Sequence, residues 1–184
     1  MQSRDLLGAV APGFDEPLEM LSACHGRIEA QLATLTKLAE HLPDHGADTQ
    51  AQQAAANVMR YFDTAGVNHH QDEETDLFPV LARIAAEERE VDILLLIDEL
   101  RVEHREMERR WQALRKVLVR IARGERAPLA PNAFAGLYRQ HIAREENALL
   151  PYAASVLVAA QRASLGTSMA ARRRVAPSPG AADA

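Results

Sequence analysis

Cysteine is nearly absent. Cys24 is the one thiol in 184 residues, so no disulfide can close within the chain, and a reducing cytoplasm is the expected setting. Glycine and proline are sparse, at nine each, while Ala, Leu, Glu and Arg dominate, which points to an all-helical protein. A basic excess is lacking too. The formal charge is −5, and no basic cluster is interleaved with aromatics, which argues against a nucleic-acid surface. No apolar run approaches the length of a membrane span. The opening MQSRDLLGAVAPGF lacks the charged-then-apolar order of a secretory signal. These absences lead us to expect a soluble cytoplasmic protein with neither nucleic acid nor membrane as partner. The length suffices for one domain with a substantial core.

Four long amphipathic stretches are present. The first is expected to start near Asp15, a capping residue, with Pro17 where a missing N–H is harmless. Its apolar seam is Leu18, Leu21, His25, Ile28, Leu32, Leu35, Ala39 and Leu42, in steps of three and four, and Pro43 and Gly46 should end it. The second runs from about Asp48 through Val58, Phe62, Ala65, His69, Glu73 and Leu77 to Pro79, which should kink or close it, with a further turn or two over 80–88. The third has the seam Ile97, Leu100, His104, Met107, Trp111, Leu114, Leu118 and Ile121, with Gly124 as a stop. The fourth carries Phe134, Leu137, His141, Glu145, Leu149, Tyr152 and Val156. Short connections predict an up-down-up-down antiparallel four-helix bundle over 14–165. Residues 1–13 should be a flexible N-terminus, and 166–184, rich in Ala, Arg, Pro, Ser and Gly, a disordered tail.

The strongest signal is an internal repeat. HHQDEETDLFP at 69–79 returns as HIAREENALLP at 141–151, aligning His69 with His141, Glu73 with Glu145, Glu74 with Glu146, Leu77 with Leu149 and Pro79 with Pro151. Repeats of this kind are two copies of one structural unit. Each copy has His and Glu four residues apart, hence on one helical face one turn apart. With His25 and His104, each helix then places one histidine inside its apolar seam. Buried polar groups without partners cost a few kcal/mol each, roughly 1–3. Four imidazoles and two carboxylates in one core therefore call for a cation. Neutral imidazole with carboxylate and no thiolate suits Fe, Mn or Zn. The set divides evenly over two metals, two histidines each, with both carboxylates bridging.

On His25 in LSACHGRIE, His104 in RVEHREMER and the two repeated segments, the chain resembles the hemerythrin-like, or HHE cation-binding, domain over about residues 15–160. Its two His-x-x-x-Glu segments look most like bacterial di-iron proteins linked to iron–sulfur cluster repair. The same spacing is similar to an iron-sensing hemerythrin domain of a eukaryotic F-box protein. The resemblance implies His25, His69, Glu73, His104, His141 and Glu145 as ligands of two Fe ions, bridged by oxo or hydroxo and by both carboxylates. Oxygen-carrying hemerythrins have a His-x-x-x-His pair on the third helix, whereas the residue four after His104 is Glu108. Either Glu108 stands in as a ligand or one position is left to water. An open position favours reaction with O2, peroxide or NO, in sensing, detoxification or iron–sulfur repair, over reversible O2 carriage. The alternative function is iron sensing or storage, with folding coupled to occupancy.

Other chemistry-bearing residues have plainer readings. His70 lies about 100° round the helix from His69 and opposite Ile142 in the repeat, so it is expected beside the site or at the surface. His41 and His45 flank a loop and should be exposed, and Cys24 should be a small buried side chain. Glu146 and Asp72 read as charges near the ligands or in solvent, and Tyr152 as a seam residue two turns beyond Glu145.

Overall fold

The computed structural model describes residues 12–174. Helix α1, Pro17–His45, begins without a side-chain cap, so the expected Asp15 cap does not form, and Pro17 at the first position supplies a preset φ instead. Pro43 does not stop it. The helix closes at Gly46, whose φ of 64° is the left-handed value glycine accepts, its N–H donating to Leu42 O at 2.9 Å.

The second rod is one unbroken run of α2 (Thr49–Tyr61), a π-helical turn (Phe62–Gly66), α3 (Val67–Gln71), a second π turn (Asp72–Leu77) and α4 (Phe78–Glu88). Asp48 caps it, its side chain accepting from Ala51 N–H at 2.8 Å. The third rod is α5, Val91–Ala122; the fourth is α6 (Asn132–Arg144), a π turn (Glu145–Leu149) and α7 (Leu150–Val156). Neighbouring rods pack in a ring, α1 against α2, α2 and α4 against α5, α5 against α6, and α6 and α7 against α1, which is the expected four-helix bundle. Among the described residues there is no strand, and no helix is long and apolar enough to cross a membrane.

The repeated prolines explain the repeated π turns. Pro79 and Pro151 have no N–H, and in a regular α-helix each ring would strike the carbonyl four residues back. Widening the turn relieves both conflicts: Phe78 N–H donates to the Glu73 carbonyl and Leu150 N–H to the Glu145 carbonyl, five residues back. Each π turn inserts one residue and so rotates the later face by about 100°. That is why the fourth seam continues through Leu150, Ala153 and Leu157 instead of Tyr152 and Val156.

The expected tail is wrong over its first turns. Helix α8, Ala159–Arg172, follows α7 and buries Leu165, Gly166, Met169 and Ala170 against α1 and the second π turn of rod two. A Cβ on Gly166 would lie 1.8 Å from Phe14 O, so only glycine permits this approach. Residues 175–184, the rest of the expected tail, and 1–11 of the expected flexible N-terminus lie outside the described residues.

Two apolar clusters fill the bundle. One gathers Ile28, Leu32, Leu35, Phe62, Met107, Trp111, Leu118 and Phe134; the other Leu21, Leu77, Phe78, Leu81, Ile97, Leu100, Leu149 and Met169. The four seam histidines fall between them in sequence on every rod, so the polar layer is closed above and below by hydrocarbon.

Candidate metal centre

His25, His69, Glu73, His104, His141 and Glu145 are all buried, at 1–4% exposure, in the middle of a bundle where polar groups need partners. Their donor atoms form two overlapping groups, each with its atoms within 4.8 Å of one another: His25, His69, Glu73 and Glu145, and Glu73, His104, His141 and Glu145. The carboxylates belong to both. Glu73 sets Oε1 3.2 Å from His69 Nε2 and Oε2 3.4 Å from His104 Nε2. Glu145 sets Oε1 3.1 Å from His141 Nε2 and Oε2 3.1 Å from His25 Nε2. One oxygen per histidine pair is the disposition of a bridging carboxylate. His104 Nε2 and His141 Nε2 lie 3.0 Å apart.

Five buried side-chain atoms lack a hydrogen-bond partner among the described residues: His25 Nε2, His69 Nδ1, Glu73 Oε2 and both oxygens of Glu145. Four of the five face the shared interior of the ligand set. Orphaned acceptors in a dry core fit a cation, and imidazole with carboxylate oxygen fits a borderline divalent metal.

The outward ring nitrogens are held by further carboxylates. His25 Nδ1 lies 2.5 Å from Glu146 Oε1, His104 Nδ1 2.8 Å from Glu74 Oε1 and His141 Nδ1 2.8 Å from Glu103 Oε2. Such partners fix the tautomer that leaves Nε2 free to ligate. Glu103 is itself anchored by Arg144 at 2.5 Å.

Without a cation the site stores protons unevenly. Burial, with the neighbouring Glu145 charge, holds the Glu73 carboxyl well above the usual range. Burial also opposes ionisation of Glu145, but the neighbouring His141 charge overcomes it and holds that carboxyl well below the range. His141 is pulled down by burial yet raised to about 10 by the Glu145 charge and the hydrogen bond to Glu103. Burial and the His25 charge push His69 well below 6.5. Burial lowers His25 as well, but Glu145 more than offsets this and raises it above 6.5, so a metal must displace protons from Glu73, His25 and His141. We expect about two to three protons released per chain on loading near neutral pH, and affinity that climbs as pH rises toward 10. The sign for the metal-free protein is opposite. His141 gains protons on folding, so its contribution to stability is full below 6.5 and is lost as pH rises through about 10. Calorimetry of metal binding in buffers of different ionisation heat measures the release; equal heats in all buffers would refute it.

Of the seven residues expected to ligate, the structure gathers six. Glu108 stands apart: it is exposed, and its Oε1 accepts from Gln112 Nε2 at 2.7 Å. His70, half-buried, lines the same small cavity as Glu108, its ring stacked on His104 at 4.1 Å and its Nε2 3.3 Å from the Tyr138 hydroxyl. Tyr138 was missed because spacing alone leaves the choice between it and Leu137 open; its signal is that it lies one turn before His141. Tyr152 points elsewhere, to Glu88 at 3.3 Å. Asp72 is fully buried and is no solvated charge: Arg172 and Arg173, expected in a tail, both bond it, Arg173 Nη2 at 2.5 Å. Cys24 is buried as expected; His41 and His45 stack at 4.2 Å at the far end of α1, His45 exposed and His41 partly buried.

A cavity of about 20 Å³, lined by Phe62, Gly66, His70, Met107, Glu108 and Tyr138, opens beside the site. A depression of about 700 Å³ is a groove between α1 and α2 lined by Gln31, Thr34, Gln50, Gln53 and Asn57, with no titratable group.

The family model described as the hemerythrin HHE cation binding domain matches residues 16–153. A Haemophilus influenzae protein, described as uncharacterized, is 32% identical over 165 residues, covering 88% of this chain and 92% of that relative.

Proposed function

The chain belongs to the hemerythrin HHE cation-binding family, and from that premise we propose that its six gathered residues hold two iron ions that react with O2, peroxide or NO. The observation that carries the reading is the split of each carboxylate, one oxygen of Glu73 and of Glu145 beside each histidine pair. Two irons so held would supply one- and two-electron redox chemistry toward small oxidants. The protein's own part is positional. Glu74, Glu103 and Glu146 orient three of the imidazoles, and the two apolar clusters exclude bulk water. The cavity beside His70 and Tyr138, about 20 Å³, has room for one water-sized molecule. That supports a diatomic or peroxide over an organic substrate.

After anaerobic loading with ferrous iron, two irons per chain are expected, and NO should shift the spectrum of the reduced protein. One iron or none would end the dinuclear reading, and an unchanged spectrum would end the gas chemistry. Iron sensing or storage at the same site is the second reading, supported by the burial of all six ligands between the two apolar clusters, which ties occupancy to folding. It requires that a mild chelator strip the iron readily and that NO leave the spectrum alone.

A further inference from the structure

The repeat gives the centre an approximate two-fold symmetry. Exchange of the halves turns His25 into His104 and His69 into His141. The outer carboxylates obey it once: Glu146 of the fourth rod reaches His25 of the first, and Glu74 of the second reaches His104 of the third. They break it once. Glu103, immediately before His104, accepts from His141. The residue immediately before His25 is Cys24, a buried thiol whose sulfur takes a contact from Arg27 Nη2 at 3.0 Å. His69 accordingly has no carboxylate on Nδ1, which is buried and unpartnered among the described residues.

We propose that the two metal positions are unequal: the His104–His141 position is the tight one, and the His25–His69 position fills last and empties first. This rests on the dinuclear reading above. The reason is electrostatic and geometric. A carboxylate on Nδ1 draws the imidazole proton outward, makes Nε2 a better donor and locks the ring toward the metal. The tight position has two such imidazoles and the weak position one. A lost partner of this kind lowers metal affinity by roughly 10–100-fold, which sets the expected gap between the two steps. A protein whose second metal comes and goes while the first stays has a resident cation and an exchangeable one, with the bridging carboxylates held in place throughout.

The test uses the full chain and zinc ion, a redox-silent probe suited to the same donors. Calorimetric titration and release to a chelator should each resolve two steps. The variants are chosen to move them in opposite directions. Glu74→Gln, at a position more than a third exposed, weakens the tight step by roughly 10–100-fold and narrows the gap. Glu103→Gln should repeat that effect. Glu146→Gln weakens the loose step and widens the gap. Two metals bound in one indistinguishable step, or Glu74→Gln widening the gap, would overturn the proposal and leave the dinuclear site intact. No zinc bound at all would overturn both.

Discussion

Glu145→Gln is expected to empty both metal positions together, where Glu146→Gln leaves two metals bound, one of them more weakly. The two side chains are adjacent in sequence and chemically identical, so the contrast isolates their placement. Glu145 places one oxygen against His25 and the other against His141, each at 3.1 Å, so its loss removes a ligand from both positions. Glu146 touches His25 Nδ1 alone and is more than a third exposed. The affinity lost at Glu145 should exceed the roughly 10–100-fold typical of an outer carboxylate. Stability should follow, since binding to the folded state adds RT ln(1 + [metal]/Kd). At a free metal concentration about 1,000 times Kd that is about 4 kcal/mol per site. Metal analysis after reconstitution, with thermal unfolding before and after chelation, reads both effects. A Glu145→Gln protein that keeps two metals would show that the carboxylate does not bridge.

Much of this was legible in the sequence because helical geometry converts spacing into position. Residues His69 and Glu73, like His141 and Glu145, lie four apart, and that alone places each pair on one face. The third seam, Ile97 to Ile121, is buried at every expected position. The seam misses beyond Glu145 have one cause. Steps of three and four assume a regular α-helix, and the prolines of the repeat force π turns that rotate the face by one residue. Tyr152 leaves the expected seam because the count runs through such a turn, whereas Leu137 and Tyr138 precede it and lie four and three residues before His141, a choice that spacing alone leaves open. Glu108 was proposed by analogy with a histidine pair, but its side chain is exposed and bonded to Gln112 instead. The outer carboxylates Glu74 and Glu103 come from neighbouring rods, 30 and 38 residues from their histidines, and no local pattern announces them. Helix α8 was hidden by composition: Ala, Ser, Gly and Arg read as a tail until the close approach to Phe14 and the buried Asp72 are seen.

Asp72→Ala is expected to damage the fold and the metal site together although Asp72 is not a ligand. Asp72 is fully buried in the π turn that begins the Glu73 segment, and it takes hydrogen bonds from Arg172 and from both Nη atoms of Arg173. The two guanidinium groups are themselves mostly covered, at 17% and 19% exposure. Removing the carboxylate leaves Arg173 without its acidic partner, while Arg172 keeps Asp76 at 2.6 Å. Breaking a buried ion pair from one side costs roughly 3–5 kcal/mol, and the retained Asp76 contact places this case near about 3. For a domain of this size that is about 6–12 °C in Tm. The consequence is specific to α8, which lies beyond the residues matched to the family and is fastened to rod two through this contact. Detaching it uncovers Leu165 and Met169, so the segment 159–172 should become the first site of proteolytic cleavage. It also frees the turn that positions Glu73, so metal affinity should fall although no ligand has changed. Glu87→Ala, which removes a largely exposed partner of Arg83, should leave Tm and cleavage where they were. If Asp72→Ala melts within a degree of the parent and α8 stays protected, the arginine pair is incidental and burial of Leu165 and Met169 alone holds the helix.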